Sequence, residues 1–452
     1  MCGIIGIFNS TKATELAMLG LFAEQHRGQE SCGIAVSDGK YIKSHTGMGL
    51  VKDVFTPKII KKMNGHIAIG HVRYPTRGSS EKKNSQPHIV ETLFGPSYAL
   101  SSNGDLINYW EIRDELEKEG VFFASDNDGE LLLKYIVYQI EIKKETIVDA
   151  IKNLIRNIKG AYSTVLATKN ELYLFRDAYA MRPMCYSELK NGSIAVASES
   201  VALDILNPKW KKEMKAAQIL KISENDIQEF QIDPQEIRST ETEKHCIFEH
   251  IYFSRPDSEI FSENVYKVRE KIGALLSKDD VEVDVVVPVP DSSNFIALGY
   301  AKKSGKPFEL GLIRNHYVGR TFIKPEQTIR DESVTQKFNP LPHFFEGKKI
   351  ALVDDSIVRG TTLRKIVKLV KNAGAKEVHL RIGSPAVKYS CFYGIDTPTQ
   401  EELIANNMSE KEICEFTGAD SLKFLSWEDL DKSVSRPQNY CKACFNGDYP
   451  IK

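Results

Sequence analysis

Three groups of residues in this 452-residue chain could do chemistry by type and spacing alone. The first is Cys2, in Met1-Cys2-Gly3-Ile4-Ile5-Gly6-Ile7-Phe8. A thiol is a strong nucleophile near neutral pH and needs only modest activation. Removal of Met1 would give the same residue a free α-amine, a base titrating at about 7.7–8.0. The second is Asp354-Asp355-Ser356-Ile357-Val358-Arg359-Gly360-Thr361-Thr362, behind the apolar run Ile350-Ala351-Leu352-Val353. Adjacent carboxylates at a strand end suit a magnesium ion or ribose hydroxyls, and the loop behind them can turn backbone N–H groups toward phosphate. It lacks the Gly-Lys-Ser/Thr of a Walker loop. The third is the Cys441-Lys442-Ala443-Cys444 pair, with Cys246 and Cys391 upstream. Cys-x-x-Cys is common to zinc and iron–sulfur sites, and spacing leaves zinc, a cluster and free thiols all open.

Periodicity predicts the elements that hold these residues. Gly3–Phe8 reads as a short apolar strand with the thiol at its tip. An amphipathic helix pattern (Leu16, Leu19, Leu21, Phe22) follows it. Further strand patterns run through 160–167, 172–177 and 194–200, and a polar stretch near 232–244 reads as a linker. Val283–Val289 is another apolar strand, ending in the polar turn Asp291-Ser292-Ser293 and leading to a helix through Ala297–Ala301. Leu363, Ile366, Val367, Leu369 and Val370 recur at helical spacing behind the Asp354 loop. Strands alternating with helices imply a parallel sheet whose ligand sits at the strand C-termini. Residues 311–330, basic and glycine-punctuated, read as a lid beside a phosphate site.

The length allows two or three domains. Lys plus Arg (60) nearly balances Asp plus Glu (61), so no overall field argues for nucleic acid or an acidic membrane. No apolar stretch reaches the length of a membrane span and no signal pattern opens the chain, so a cytoplasmic protein is expected. Eight cysteines are too few for a disulfide scaffold in a chain this long.

Four segments with Cys2 carry a family resemblance: His26-Arg27-Gly28-Gln29-Glu30, Gly70-His71-Val72-Arg73-Tyr74-Pro75-Thr76-Arg77-Gly78, Ser102-Asn103-Gly104-Asp105-Leu106 and Asp126-Asn127-Asp128-Gly129. Together they resemble the class II glutamine amidotransferase domain, an N-terminal-nucleophile hydrolase with an αββα sandwich. Taken singly, Arg73 would read as a surface arginine and Asn103-Gly104 as a hairpin turn. The resemblance implies that Cys2 attacks the glutamine amide and that the Asn103 side chain and Gly104 N–H form the oxyanion hole. It also implies that Arg73 clamps the α-carboxylate, while Asp128 holds the α-ammonium. Ser102 departs from the bulkier polar residue usual there. Cys32 replaces a small inert residue and reads as packing, and Cys185 and Cys414 as ordinary buried thiols.

The Asp354–Thr361 loop is similar to the 5-phosphoribosyl-1-pyrophosphate (PRPP) loop of type I phosphoribosyltransferases, and Asp291-Ser292-Ser293 to their pyrophosphate loop. Residues 246–258 resemble the junction of the glutamine PRPP amidotransferases, which narrows the family to that group. The resemblance implies an αββα domain over 2–235 and a parallel-sheet phosphoribosyltransferase domain over 246–452, an architecture of α/β and α+β class. It implies formation of 5-phosphoribosylamine, glutamate and pyrophosphate from glutamine, PRPP and water, the first step of purine synthesis, with ammonia passing between the sites. PRPP would be bound by Asp291, Ser292, Ser293, Asp354, Asp355, Ser356, Arg359, Gly360 and Thr361. Magnesium would lie on Ser292, Asp354 and Asp355, and Tyr252 would couple the two sites. The four positions Cys246, Cys391, Cys441 and Cys444 match the [4Fe–4S] ligands of one subgroup. Purine nucleotides as feedback inhibitors and a homotetramer are further family expectations. A class II amidotransferase with another synthase domain is opposed by the PRPP loop, and a non-catalytic nucleotide sensor by the intact Cys2.

Overall fold

The computed structural model describes residues 1–451 apart from 76, 94, 225, 234–235, 238–241, 279–280 and 317–336. Much of the polar linker stretch and most of the expected lid therefore lie outside the described residues.

The N-terminal half stacks two antiparallel sheets between helices. In the seven-stranded sheet, Gly3–Phe8 lies between Ile194–Ala197 and Ile67–Arg73, with Ser31–Ser37 on the far side of the latter. In the six-stranded sheet, Gly95–Leu106 pairs with Gly160–Ala167 and His88–Thr92. Alternation along each strand supplies two apolar faces. Ile4, Phe8, Ile67, Ile69, Val165 and Leu174 fill the space between the sheets. Ile5, Ile7, Ile34 and Val72 face the helix Ala13–Ala23, and Leu100, Leu106 and Leu166 face the helices Tyr109–Lys118, Asp128–Glu141 and Ile147–Asn157. Each such side chain, fully buried, contributes roughly 1.5–3 kcal/mol.

The helix at 13–23 forms where its period predicts, but it buries a different face. Leu19 and Phe22 are 44% and 58% exposed, whereas Ala13, Thr14, Ala17, Gly20 and Leu21 are buried. The helix packs so close that a Cβ at Gly20 would stand 2.4 Å from Ile5 Cδ1, so small residues make the contact and two large ones turn outward.

The C-terminal half holds a four-stranded sheet in the order Val285–Pro288, Lys349–Asp354, Glu377–Ile382, Ser421–Phe424, parallel throughout. Val286, Ala351 and Val353 face the helices Val265–Leu276 and Asn294–Ser304. Val285, Val287, Ile350 and Leu352 face Thr361–Asn372 and Glu410–Thr417. Burial on both faces explains why these strands read as continuous apolar runs. The ends of the chain segment are tied by a short parallel pair, His245–Cys246 against Tyr440–Cys441.

Candidate functional site

Cys2 sits at the start of the strand Gly3–Phe8, buried at the junction of the two halves. Its N–H donates to Asn103 Oδ1 at 3.0 Å, and its thiol approaches the Tyr74 carbonyl at 3.5 Å. Asn103 and Gly104 lie within the strand Gly95–Leu106, not in a hairpin turn, paired with Ser163 and Tyr162. Gly104 is forced by close approach: a Cβ there would fall 1.7 Å from the Ala161 carbonyl oxygen. The Asn103 Nδ2 is buried without a hydrogen-bond partner, although a buried donor left unmade costs about 1–3 kcal/mol. A donor held in that state beside a thiol is available to an oxygen that a ligand brings. His71 braces the strand from behind, through Nε2 and the Ser102 carbonyl at 3.1 Å, and burial pushes its pKa down to about 3, so the ring is neutral.

Arg73 is 1% exposed at the end of the strand Ile67–Arg73. Its Nη1 pairs with Glu30 at 2.6 Å, and its Nη2 donates to the carbonyls of Arg77 and Gly78 at 2.8 and 3.2 Å. The fork is thus turned onto its own loop, and a carboxylate binding it would displace those carbonyls. Asp128 begins the helix Asp128–Glu141, capped by the Asn127 side chain accepting from Gly129 N–H. Burial pushes its carboxyl up to about 8, with Asp105 and Cys2 adding to the rise. A buried carboxyl with anions around it gains most from a cationic ligand.

The second constellation gathers at the C-terminal ends of two adjacent parallel strands. Ser292 and Ser356 both donate to Asp355, each at 2.6 Å, and the Asp355 N–H donates to Asp354 Oδ1 at 2.9 Å. Burial and the other carboxylate drive Asp354 well above the ordinary carboxylate range, and burial raises Asp355 too. Asp291 pairs with Arg314, and the Ser293 hydroxyl donates to the Val289 carbonyl. Gly360 takes φ +71° at the start of the helix Thr361–Asn372, which has no side-chain cap on its N–H groups. Arg359 is turned away, with Nε donating to exposed Glu402 at 2.8 Å. Among the described residues no group of three or more His, Cys, Asp or Glu side chains closes on a single ion. Two carboxylates with hydroxyls nonetheless fit magnesium, which takes one or two protein carboxylates and completes its shell with water and substrate phosphates.

Comparison with known proteins places the chain in a family. The model of the glutamine amidotransferase domain matches residues 71–205, and that of the phosphoribosyl transferase domain matches residues 259–382. An amidophosphoribosyltransferase of Arabidopsis thaliana is 45% identical over all of this chain and 79% of its own length. One from Methanocaldococcus jannaschii is 43% identical over all of this chain and 98% of its own. The solved structure of the glutamine PRPP amidotransferase from B. subtilis, complexed with ADP and GMP, superposes with a TM-score of 0.91 at 40% identity, covering 100% of this chain and 98% of that one. The chain belongs to the amidophosphoribosyltransferase family.

Members of this family are glutamine-dependent pentosyltransferases of purine biosynthesis, and glutamine and PRPP are the substrates. In this amidophosphoribosyltransferase the four cysteines of the third group share one region. Cys246 and Cys441 are register partners, and the Cys391 sulfur accepts the Tyr393 N–H at 3.3 Å. Burial raises the Cys246, Cys441 and Cys444 thiols, and each is raised further by others of the four. Cys32 and Cys185 are buried as expected, whereas Cys414 is only half-buried, on the helix Glu410–Thr417.

Several contributors escaped the sequence reading. His71, Glu30 and Gln86 brace Asn103 and Arg73, with Gln86 Oε1 accepting the Ser102 N–H at 2.7 Å. Gly394, at φ +92°, packs against the Gly104 backbone so closely that a Cβ would stand 2.9 Å from it. Only the glycine in Tyr393-Gly394-Ile395, three residues from a candidate ligand cysteine, signalled that contact.

Proposed function

We propose that Cys2 of this amidophosphoribosyltransferase, once Met1 is removed, attacks the side-chain amide carbon of glutamine. The carbonyl oxygen takes up the negative charge and is met by Asn103 Nδ2 and Gly104 N–H. Collapse breaks the C–N bond; the α-amine of Cys2 passes the thiol proton to the departing nitrogen, and ammonia leaves a glutamyl thioester. Water then releases glutamate and restores the thiol. Arg73 binds the α-carboxylate and Asp128 the α-ammonium, so the amide lies over the thiol. Ammonia passes to the second site and displaces pyrophosphate from the ribose C1. Asp291, Ser292, Ser293 and Ser356, with Arg359, Gly360 and Thr361, hold the phosphates and sugar, and Asp354 and Asp355 with Ser292 would hold magnesium. When bound, magnesium offsets the charge of the departing pyrophosphate. Residues 2–235 and 246–452 are the two working units, with Tyr252 coupling them.

The observation that carries this reading is the unsatisfied Asn103 Nδ2 beside Cys2. Cys2→Ala tests it, with product formation measured from glutamine and from ammonium. Glutamine-dependent synthesis is lost and ammonium-dependent synthesis kept; survival of both would remove Cys2 from the mechanism.

Cys246, Cys391, Cys441 and Cys444 would hold a [4Fe–4S] cluster. Four thiols from three segments would supply its thiolate ligands, and an N–H donor to sulfur such as that of Tyr393 would tune its potential. Brown protein with broad visible absorbance and four irons per chain supports the cluster; colourless zinc-loaded protein overturns it. The nucleotides bound in the B. subtilis structure support purine nucleotides as feedback inhibitors here. A cytoplasmic homotetramer is the assembly the family resemblance supports; no helix among the described residues is long and apolar enough to cross a membrane.

A further inference from the structure

The strand Gly95–Leu106 outruns its neighbour His88–Thr92, whose last pairing is His88 with Leu100. Among the described residues no strand covers that edge beyond Leu100. Backbone N–H groups alternate sides along a strand, so those of Ser102 and Gly104 face this open edge together. The Ser102 N–H is met there by Gln86 Oε1 at 2.7 Å. The other end of the same amide, Gln86 Nε2, donates to Asn127 Oδ1 at 3.0 Å. That oxygen also accepts the Gly129 N–H and His88 Nε2, each at 3.0 Å. Burial pushes His88 down to about 4, so its ring is neutral and donates through Nε2. Three donors on one oxygen fix the cap of the helix Asp128–Glu141, whose first residue is Asp128. Gln86 also packs on the Gly129 backbone so closely that a Cβ there would stand 2.8 Å from Gln86 Cδ. Two residues earlier, Asn84 Nδ2 donates to the Ser79 carbonyl at 2.9 Å, which Arg73 Nη1 also reaches, and Asn84 Oδ1 accepts the Asp126 N–H at 3.2 Å. Asn84, Gln86, Ser102 and Asn127 are all at most 3% exposed.

A buried amide accepts at one end and donates at the other, so it satisfies a backbone N–H and a cap oxygen at once; an apolar side chain of similar volume leaves both unmet. We infer that Gln86 is a positioning residue for the glutaminase reaction, its amide fixing the spacing between the oxyanion strand at Asn103–Gly104 and the ammonium-binding carboxylate of Asp128. The inference rests on the assignment of those residues under the function proposed above. Glutamine is anchored at its α-ammonium by Asp128 and attacked at its side-chain carbonyl beside Asn103 and Gly104. The distance between the two anchors must therefore match the reach of a side chain of that length. Gln86 acts on one anchor through Ser102 and on the other through Asn127, and a displacement of about 1 Å in such an anchor costs roughly 10²-fold in rate.

Gln86→Met nearly keeps the volume and removes both hydrogen bonds. It should lower kcat/KM for glutamine by about 10–100-fold, read as glutamate release, with the loss divided between KM and kcat because both anchors shift. Asp128→Asn and Asn103→Ala each remove one anchor, and in those backgrounds Gln86→Met should lose its effect on KM and on kcat respectively, to within about twofold. In the Gln86→Met single variant, ammonium-dependent synthesis and alkylation of Cys2 by iodoacetamide, followed on the N-terminal peptide, should match the parent. Such a result shows that neither folding nor the thiol is at fault. Parental kcat/KM in Gln86→Met overturns the inference. A cost undiminished in either background also overturns it, since the corresponding anchor is then not tied to Gln86. Loss of Cys2 alkylation or of ammonium-dependent synthesis overturns it too, because the residue would then serve the fold. Parental glutamine turnover in Asn103→Ala and Asp128→Asn themselves overturns the site assignment along with the inference.

Discussion

The two sites are built in opposite ways. Around Cys2, Asn103, Gly104 and Arg73 sit in the interiors or at the ends of antiparallel strands, with Asn103 Oδ1 accepting the Cys2 N–H and Arg73 paired with Glu30. His71 and Gln86 hold Ser102, and strand pairing holds Asn103. Around Asp354 and Asp355, the groups sit on turns at the ends of parallel strands, and two carboxylates crowd each other. The first site takes its backbone frame from the sheet, whereas the second sets two carboxylates side by side where a strand ends. A hydrolytic site must not reorganise as its oxyanion forms, whereas adjacent carboxylates gain from a cation that arrives with the sugar phosphate.

Breaking the first site should have the largest effect and leave the second alone. Asn103→Ala should lower glutamine-dependent turnover by about 10²–10³-fold, the usual cost of one oxyanion donor, with ammonium-dependent turnover unchanged in the same steady-state assay. Equal losses from both nitrogen sources would erase the contrast.

The next effect is one of pH. The Asp128 carboxyl stands at about 8 because of burial, then Asp105 and Cys2. Its folded value lies above its unfolded one, so its contribution to stability is present below the ordinary carboxylate range and is lost as pH rises through about 8. The α-ammonium of glutamine needs the ionised form. The KM for glutamine should therefore fall nearly tenfold per unit between about pH 6 and pH 8, and Asp128→Asn should flatten that slope. A slope that survives the substitution would assign it to another group.

A smaller effect sharpens the picture of the second site. Asp354 and Asp355 are both raised, so in the unliganded protein their contribution to stability is likewise lost as pH rises. PRPP with magnesium at a hundredfold its Kd should stabilise the fold by about 2.7 kcal/mol by mass action, measured by denaturant titration. Asp355→Asn should remove most of that gain at the same ligand concentration. The smallest effect belongs to the half-exposed pair Arg359–Glu402. Glu402→Ala should change stability by about 0–1 kcal/mol in the same titration, as exposed ion pairs do. A larger loss would mean that the turn is tied down before PRPP arrives.

Local order in the sequence was enough for the parallel strands and their loops. Ile350–Val353 is apolar throughout because both faces are covered, and Asp354-Asp355 follows because a strand end must turn there. The amphipathic helix at 13–23 was legible as a helix but not in its orientation. Which face is buried depends on how near the sheet comes, and Gly20 against Ile5 sets that distance. Asn103-Gly104 looked like a turn because its partner strand lies some sixty residues onward, and pairing with Ser163 and Tyr162 is invisible locally. Arg73 alone would read as a surface arginine, yet it is buried and engaged with the carbonyls of Arg77 and Gly78, which no local pattern shows.

The sequence by itself determined which reactive groups are present, a thiol, an amide, a pair of carboxylates and four further thiols, because residue identity is set before folding. Tertiary structure alone decided how the sites meet. Arg27, Glu249 and Arg269 are ordinary charged residues in the chain, separated from one another by up to 242 positions. They come together only when folding removes them from water, with Arg27 gripping Glu249 and Arg269 holding the carbonyls of His250 and Ser254.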